Sequence, residues 1–147
     1  MSIDQAMCTL FKKDVLLGDH HLDSDVIMIA LYTDAATLNA TTDGYITAGE
    51  VSASGTNYTT TGVALGTKSV IENSTSGCFT SANPEWTDAT FTANGALIYN
   101  KTLGDASSNS RGAIAVLSFG GNFTVAGGTF KIVFPAQTKD TAIIRID

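Results

Sequence analysis

From Gly62 to Ile146 the chain is one short apolar run after another, each ended by Gly, Asn, Ser or Pro. The runs cover 62–72, 77–82, 85–100, 113–120, 128–135 and 141–146, with the turn-rich segments LGDASSNSRG and GGNFTVAGG between them. Side chains alternate faces along a strand, so short runs with period-two patterning and frequent turn residues specify stacked antiparallel strands. In GTFKIVFP, Phe130, Ile132 and Phe134 share a face opposite Thr129, Lys131 and Val133, and Pro135 closes the strand because it has no N–H to donate. In ATFTANGALIYN, Phe91, Ala93, Leu97 and Tyr99 line one face with Gly95 among them, which predicts a bulge or a close neighbour at Gly95. RGAIAVLSFG is its expected pairing partner.

The stretch SDVIMIALYT (24–33) is apolar on both alternating faces, as a central strand covered on both sides requires. Residues 34–61 are small and polar, with turn signals at Asp43-Gly44, Ala48-Gly49 and Ser54-Gly55 and room for short strands near Tyr45-Ile46 and Val51. At the N-terminus, Ser2 and Gln5 have capping-box spacing, while Ile3, Met7, Leu10, Phe11 and Val15 recur at helical spacing and Gly18 is a stop. This predicts a helix over 3–17. The expected fold is therefore all-β, an antiparallel β-sandwich of jelly-roll or Ig-like type with a short N-terminal α-helix. Residues 1–23 form the helix and connector, and 24–147 form a single sandwich domain.

A chain of 147 residues with 44% hydrophobic content can build one core, and no fixed-period repeat suggests a solenoid or propeller. Net charge is −6, and the eight Lys and Arg are scattered, without the cationic stripe that phosphate backbones demand. No nucleic-acid partner is expected. The N-terminus lacks a secretory pattern and no apolar stretch is long enough to cross a bilayer, so no membrane partner is expected and the site of assembly is the cytosol. Cys8 and Cys78 share no metal or redox spacing and read as two reduced thiols. The five N-x-[ST] triplets follow from the Asn- and Thr-rich composition.

Chemistry-bearing patterns are few. GDHHLDSD (18–25) gathers His20 and His21 with Asp19, Asp23 and Asp25, and His20, His21 and Asp23 are the metal-ligand candidates. Adjacent histidines point to opposite sides of an extended chain, so a polar connector is the expected reading and no metal or other cofactor is assigned. TTDGYITAGE lacks the acids of a calcium loop. There is no G-x-S-x-G, HExxH or P-loop, and both histidines sit in one connector, so no Ser-His-Asp or Cys-His arrangement can be assembled without it. Glu85 and Asp88 flank Trp86, but a single tryptophan is too little for a sugar cleft. No enzymatic activity is expected.

Several segments together resemble a family of small virion proteins of tailed bacteriophages, marine and cyanobacterial ones above all. They are CTLFKKDVLLGDHHLDSDVIMIALYTDAATLNATT (8–42), YITAGEVSASGTNYTTTGVALG (45–66), WTDATFTANGALIYN (86–100), RGAIAVLSFGGNFTVAGGTFKIVFP (111–135) and AIIRI (142–146). The resemblance covers most of the chain and implies a β-sandwich structural protein of the particle. Three roles compete. A capsid cement or decoration protein on the outside of the head would partner the major capsid protein and itself, as a homo-oligomer such as a trimer. A tail, fibre or baseplate component is the second reading, although heptads and repeats are lacking. A carbohydrate-binding module is the third, disfavoured by the scarcity of aromatics. For the first, segments 1–23 and 34–61 are expected to supply the intersubunit contacts, through Met7, Leu10, Phe11, Val15, Leu38, Tyr45 and Tyr58.

Overall fold

The computed structural model describes residues 1–147 and is 41% strand and 9% helix. In chain order the elements are β1 (Ala6–Met7), α1 (Thr9–Leu16), β2 (Ile27–Tyr32), β3 (Val63–Ala64), β4 (Ser69–Asn73), β5 (Ser76–Thr80), β6 (Glu85–Asn100), α2 (Lys101–Asp105), β7 (Ala113–Lys131) and β8 (Ile144–Ile146). One sheet runs β1-β7-β6-β2-β3 and the other β4-β5-β8, with every pairing between named strands antiparallel. The result is sandwich-like and all-β, as the run-and-turn pattern predicts.

The long β6–β7 hairpin is the spine. Ala96 pairs with Leu117, Leu97 with Val116 and Ile98 with Ala115, so the expected partnership of these two segments holds. The expected loop at GGNFTVAGG does not: β7 continues through it to Lys131. Its glycines serve as bulges instead of turns. Gly120 (φ 76°) and Gly127 (φ 62°) adopt the left-handed region, and the register shifts opposite Ala93/Gly95 and Ala89/Thr90. Beyond Lys131 the chain still follows its neighbour, with Ile132 N–H donating to Pro84 O and Phe134 N–H to Asn83 Oδ1. Phe130, Ile132 and Phe134 pack on the core while Thr129, Lys131 and Val133 face solvent, as their alternation predicts.

β2 is central, between β6 and β3, and all six of its residues are buried. Short strands expected at Tyr45-Ile46 do not form; Glu50 alone bridges Tyr32, beside a Val51 N–H to Leu31 O bond. The expected helix over 3–17 shrinks to Thr9–Leu16, capped at Cys8 without a side-chain bond. Ile3 and Met7 are four residues apart, a spacing that suits an extended chain as well as a helix. Here the extended form wins because open backbone edges lie within reach. Ile3 bridges Leu38, β1 pairs with β7, and Gln5 Oε1 accepts from Ser118 N–H instead of closing a capping box. Gly18 (φ 76°) ends the helix as read.

Gly95 has the close neighbour its position predicts. A Cβ there would lie 2.7 Å from Ile3 Cγ2 and 2.5 Å from Leu117 O, so the missing side chain is the seat for Ile3. Ile3, Cys8 and Phe11 thereby join one buried cluster with β2, β6 and Ala113 to Val116 of β7. The smaller sheet closes that cluster through Phe79 and Ile144, which are cross-strand partners.

Candidate functional site

All four tyrosines converge on the long polar segment 34–61 and on one of its carboxylates, Glu50. Glu50 Oε2 accepts from Tyr45 Oη (2.5 Å); Oε1 accepts from Tyr58 Oη (2.8 Å) and Thr61 N–H (2.8 Å). Tyr58 Oη also accepts from Leu31 N–H on β2 (2.9 Å), Tyr32 Oη donates to Ile46 O, and Tyr99 Oη donates to Thr61 O. The Tyr45 and Tyr99 rings stack at 5.2 Å. Burial foremost pushes all four phenols above their ordinary value, with the Glu50 charge adding to it. This is a scaffold: the four phenol hydroxyls and both Glu50 oxygens are hydrogen-bonded within the chain.

That network changes the assignment of contact residues. Phe11, Leu38 and Tyr58 are buried in the chain's own core and have no surface left for a partner. Met7, Leu10, Val15 and Tyr45 are half-buried. The reason is the same on both segments: residues 1–23 and 34–61 bury Ile3, Cys8, Phe11, Ala36, Leu38, Val51 and Tyr58 inside one subunit. The apolar surface that segment 1–23 leaves free is at Met1, Leu16 and Leu17.

The acidic connector is a second internal network. His20, His21 and Asp23 do not converge: the His21 ring is 66% exposed, Asp23 faces solvent, and His20 turns inward onto Phe11 with ring centroids 4.8 Å apart. Asn100, fully buried, donates to Asp25 Oδ2 (2.6 Å) and faces His20 Nδ1 (3.3 Å). Buried Asp14 and half-exposed Asp19 both engage Arg111, whose guanidinium is held charged by Asp19 first and Asp14 second. Burial lowers the His20 value, against the pull of Asp14 and Asp25. Between this connector and the small sheet lies a groove of about 400 Å³ lined by Phe11, Val15, Leu22, Phe79 and Ile144.

Glu85 and Asp88, the carboxylates beside Trp86, are exposed, whereas Trp86 itself is 4% exposed and points into the core.

The feature that most invites a partner is where the core opens along the distal half of β7. An aromatic chain runs outward from Tyr58 and Trp86 through Phe91 and Phe130 to Phe119 and Phe123, each ring within 6.5 Å of the next. Phe123 is 53% exposed at its end, and a groove of about 440 Å³ lies between Phe119, Phe123, Val125, Phe130 and Ile132. β1 covers β7 only at Ala115 and Val116. Past Ser118 the outer edge of β7 has no strand beside it, and between Arg111 and Lys131 it carries no charge. Sequence reading took this segment for a loop, although Phe123 and Val125 between glycine pairs were a visible alternation. No helix is long and apolar enough to cross a membrane. The chain matches no protein-family model, and neither curated proteins nor solved structures yield a match.

Proposed function

We propose that this chain is a non-enzymatic structural protein of a tailed-phage particle, a cement or decoration protein that binds the outer capsid surface and stabilises the head. Its partners in this reading are the major capsid protein and further copies of itself, as a trimer. The observation that carries the reading is the open aromatic edge at Phe119, Phe123 and Phe130. An uncharged strand edge beside solvent-exposed aromatic rings is adhesive surface that a lone domain ordinarily guards with charge or proline. The segment resemblance to small virion proteins supplies the particle. A jelly-roll or Ig-like form of the sandwich belongs to the same proposal.

The test is copy number in intact particles, read by reconstruction or by quantitative labelling. Hundreds of copies on the head support the proposal. A few copies at the tail replace it with the tail reading, and absence from particles overturns both. Phe123→Asp lowers head occupancy at unchanged solution stability if the aromatic edge is the contact.

A further inference from the structure

The His20 imidazole and the Asp25 carboxylate tie the connector between α1 and β2 to Asn100 at the end of β6. The Asn100 amide is fixed in orientation, since its Oδ1 accepts from Leu103 N–H (3.1 Å) and caps α2. Nδ2 is therefore the end that meets the connector, at Asp25 Oδ2 and at His20 Nδ1. An amide nitrogen only donates, so His20 Nδ1 has to be the bare acceptor and the ring proton sits on Nε2. Nε2 is buried with no partner, so the ring has no second hydrogen bond to hold it if the first fails.

We infer that His20 is an acid-released clasp: a proton on Nδ1 sets two donors, itself and the Asn100 Nδ2 N–H, against each other and loosens the connector around His20 from the end of β6. The carboxylates that could instead hold a charged ring are already engaged. Asp14 on α1 and Asp19 on the connector are taken by Arg111, which precedes β7 and itself repels the charged ring. Asp25 accepts from Asn100 and from the His21 N–H (2.9 Å), with the exposed His21 ring 4.0 Å away. Release uncovers the groove lined by Phe11, Phe79 and Ile144.

The sign follows from burial. The clasped ring titrates below its ordinary value, whereas a released ring titrates near its ordinary value of about 6.5. The open form then binds more protons, so closure is complete above that pH and weakens as pH falls towards the clasped value, up to about tenfold per unit. This inference does not depend on the capsid proposal, and its readouts need no particle.

Hydrogen exchange of amides 19–26 in the full chain, corrected for intrinsic rates, tests it. Protection should fall by up to about fivefold between pH 6.5 and 5.5 in the wild type. His20→Gln, which keeps an acceptor but does not titrate, should abolish that fall, and His21→Gln should retain it. Nitrogen NMR at pH 7.5 should find the His20 proton on Nε2. A proton on Nδ1, protection that stays flat with pH, or a fall that persists in His20→Gln overturns the clasp. Should His20→Gln fail to fold, the wild-type His20 titration midpoint must coincide with the midpoint of protection loss; separate midpoints overturn it as well.

Discussion

Replacing Glu50 with alanine removes the acceptor for two phenols and one backbone amide at once. Tyr58 decides most of the cost, because at 3% exposure its hydroxyl cannot turn to water, although it keeps the Leu31 N–H as donor. A buried hydroxyl without an acceptor costs about 1–3 kcal/mol, and the Tyr45 and Thr61 bonds, which water can partly replace, add about 0.5–1 kcal/mol each. The sum is about 2–5 kcal/mol. For a chain of 147 residues each kcal/mol lowers Tm by about 3 °C, so Glu50→Ala should melt about 6–15 °C below the wild type. Urea titration followed by the emission of Trp86, whose ring stacks 6.3 Å from Tyr58, measures the free energy directly. Glu50→Gln keeps one carbonyl acceptor for Tyr58 and Thr61, and its amide can donate to Tyr45, so it should recover at least half the loss. A Glu50→Ala protein within about 0.5 kcal/mol of wild type would falsify the claim that this carboxylate holds segment 34–61.

Alkaline stability follows from the same cluster. The phenols of Tyr32, Tyr58 and Tyr99 are raised in the fold, so the native state holds protons that the unfolded chain gives up. Stability is full below about pH 10 and falls above it, by up to about 1.4 kcal/mol per pH unit for each buried ring. Phenolate absorbance should then appear together with unfolding; a phenolate signal from a still-folded chain counts against it. A Cβ at Gly62 (φ 86°) would overlap the carbonyl oxygen of Ile29, whereas none of the surroundings obstructs one at Gly120. Gly62→Ala should cost more than about 3 kcal/mol and Gly120→Ala about 1–2 kcal/mol, by urea titration; equal costs would mean that backbone strain alone decides. Cys8 and Cys78 are buried and unpaired, and burial pushes the Cys8 thiol up to about 11. Neither should react with a chromogenic disulfide reagent at pH 8 until denaturant is added, and fast native labelling would contradict that burial.

The hairpin was legible because alternation survives in 89–99 and 128–134, and Gly95 announced its crowding by lacking a side chain where its neighbours are large. What misled was ambiguity intrinsic to the residues. Ile3 and Met7 satisfy a helix and an extended chain equally, and only the free edge of β7 settles the choice. Gly120 and Gly127 serve turns or bulges, depending on whether a partner strand continues opposite them. The Glu50 cluster had a signal that passed unread: Glu50 is the only charged residue between Asp43 and Lys68, flanked by Tyr45 and Tyr58. A solitary carboxylate in an uncharged segment, with phenols near by, is more easily explained as an anchor than as solvated surface. The pairing of His20 with Asn100, eighty residues away, lies beyond local pattern.

The seat of Ile3 over Gly95 has a bearing on the order of folding. The gap exists only once β6 lies beside β7, because Leu117 O forms its other wall. Chain entropy also disfavours closing a loop of some ninety residues before local pairs have formed. The segment around Ile3 should therefore be among the last to dock. In stopped-flow kinetics Ile3→Ala should leave the refolding rate nearly unchanged and speed unfolding, so that nearly all of its penalty appears in the unfolding arm. The N-terminal strand would then govern how long the folded chain survives more than how quickly it arises.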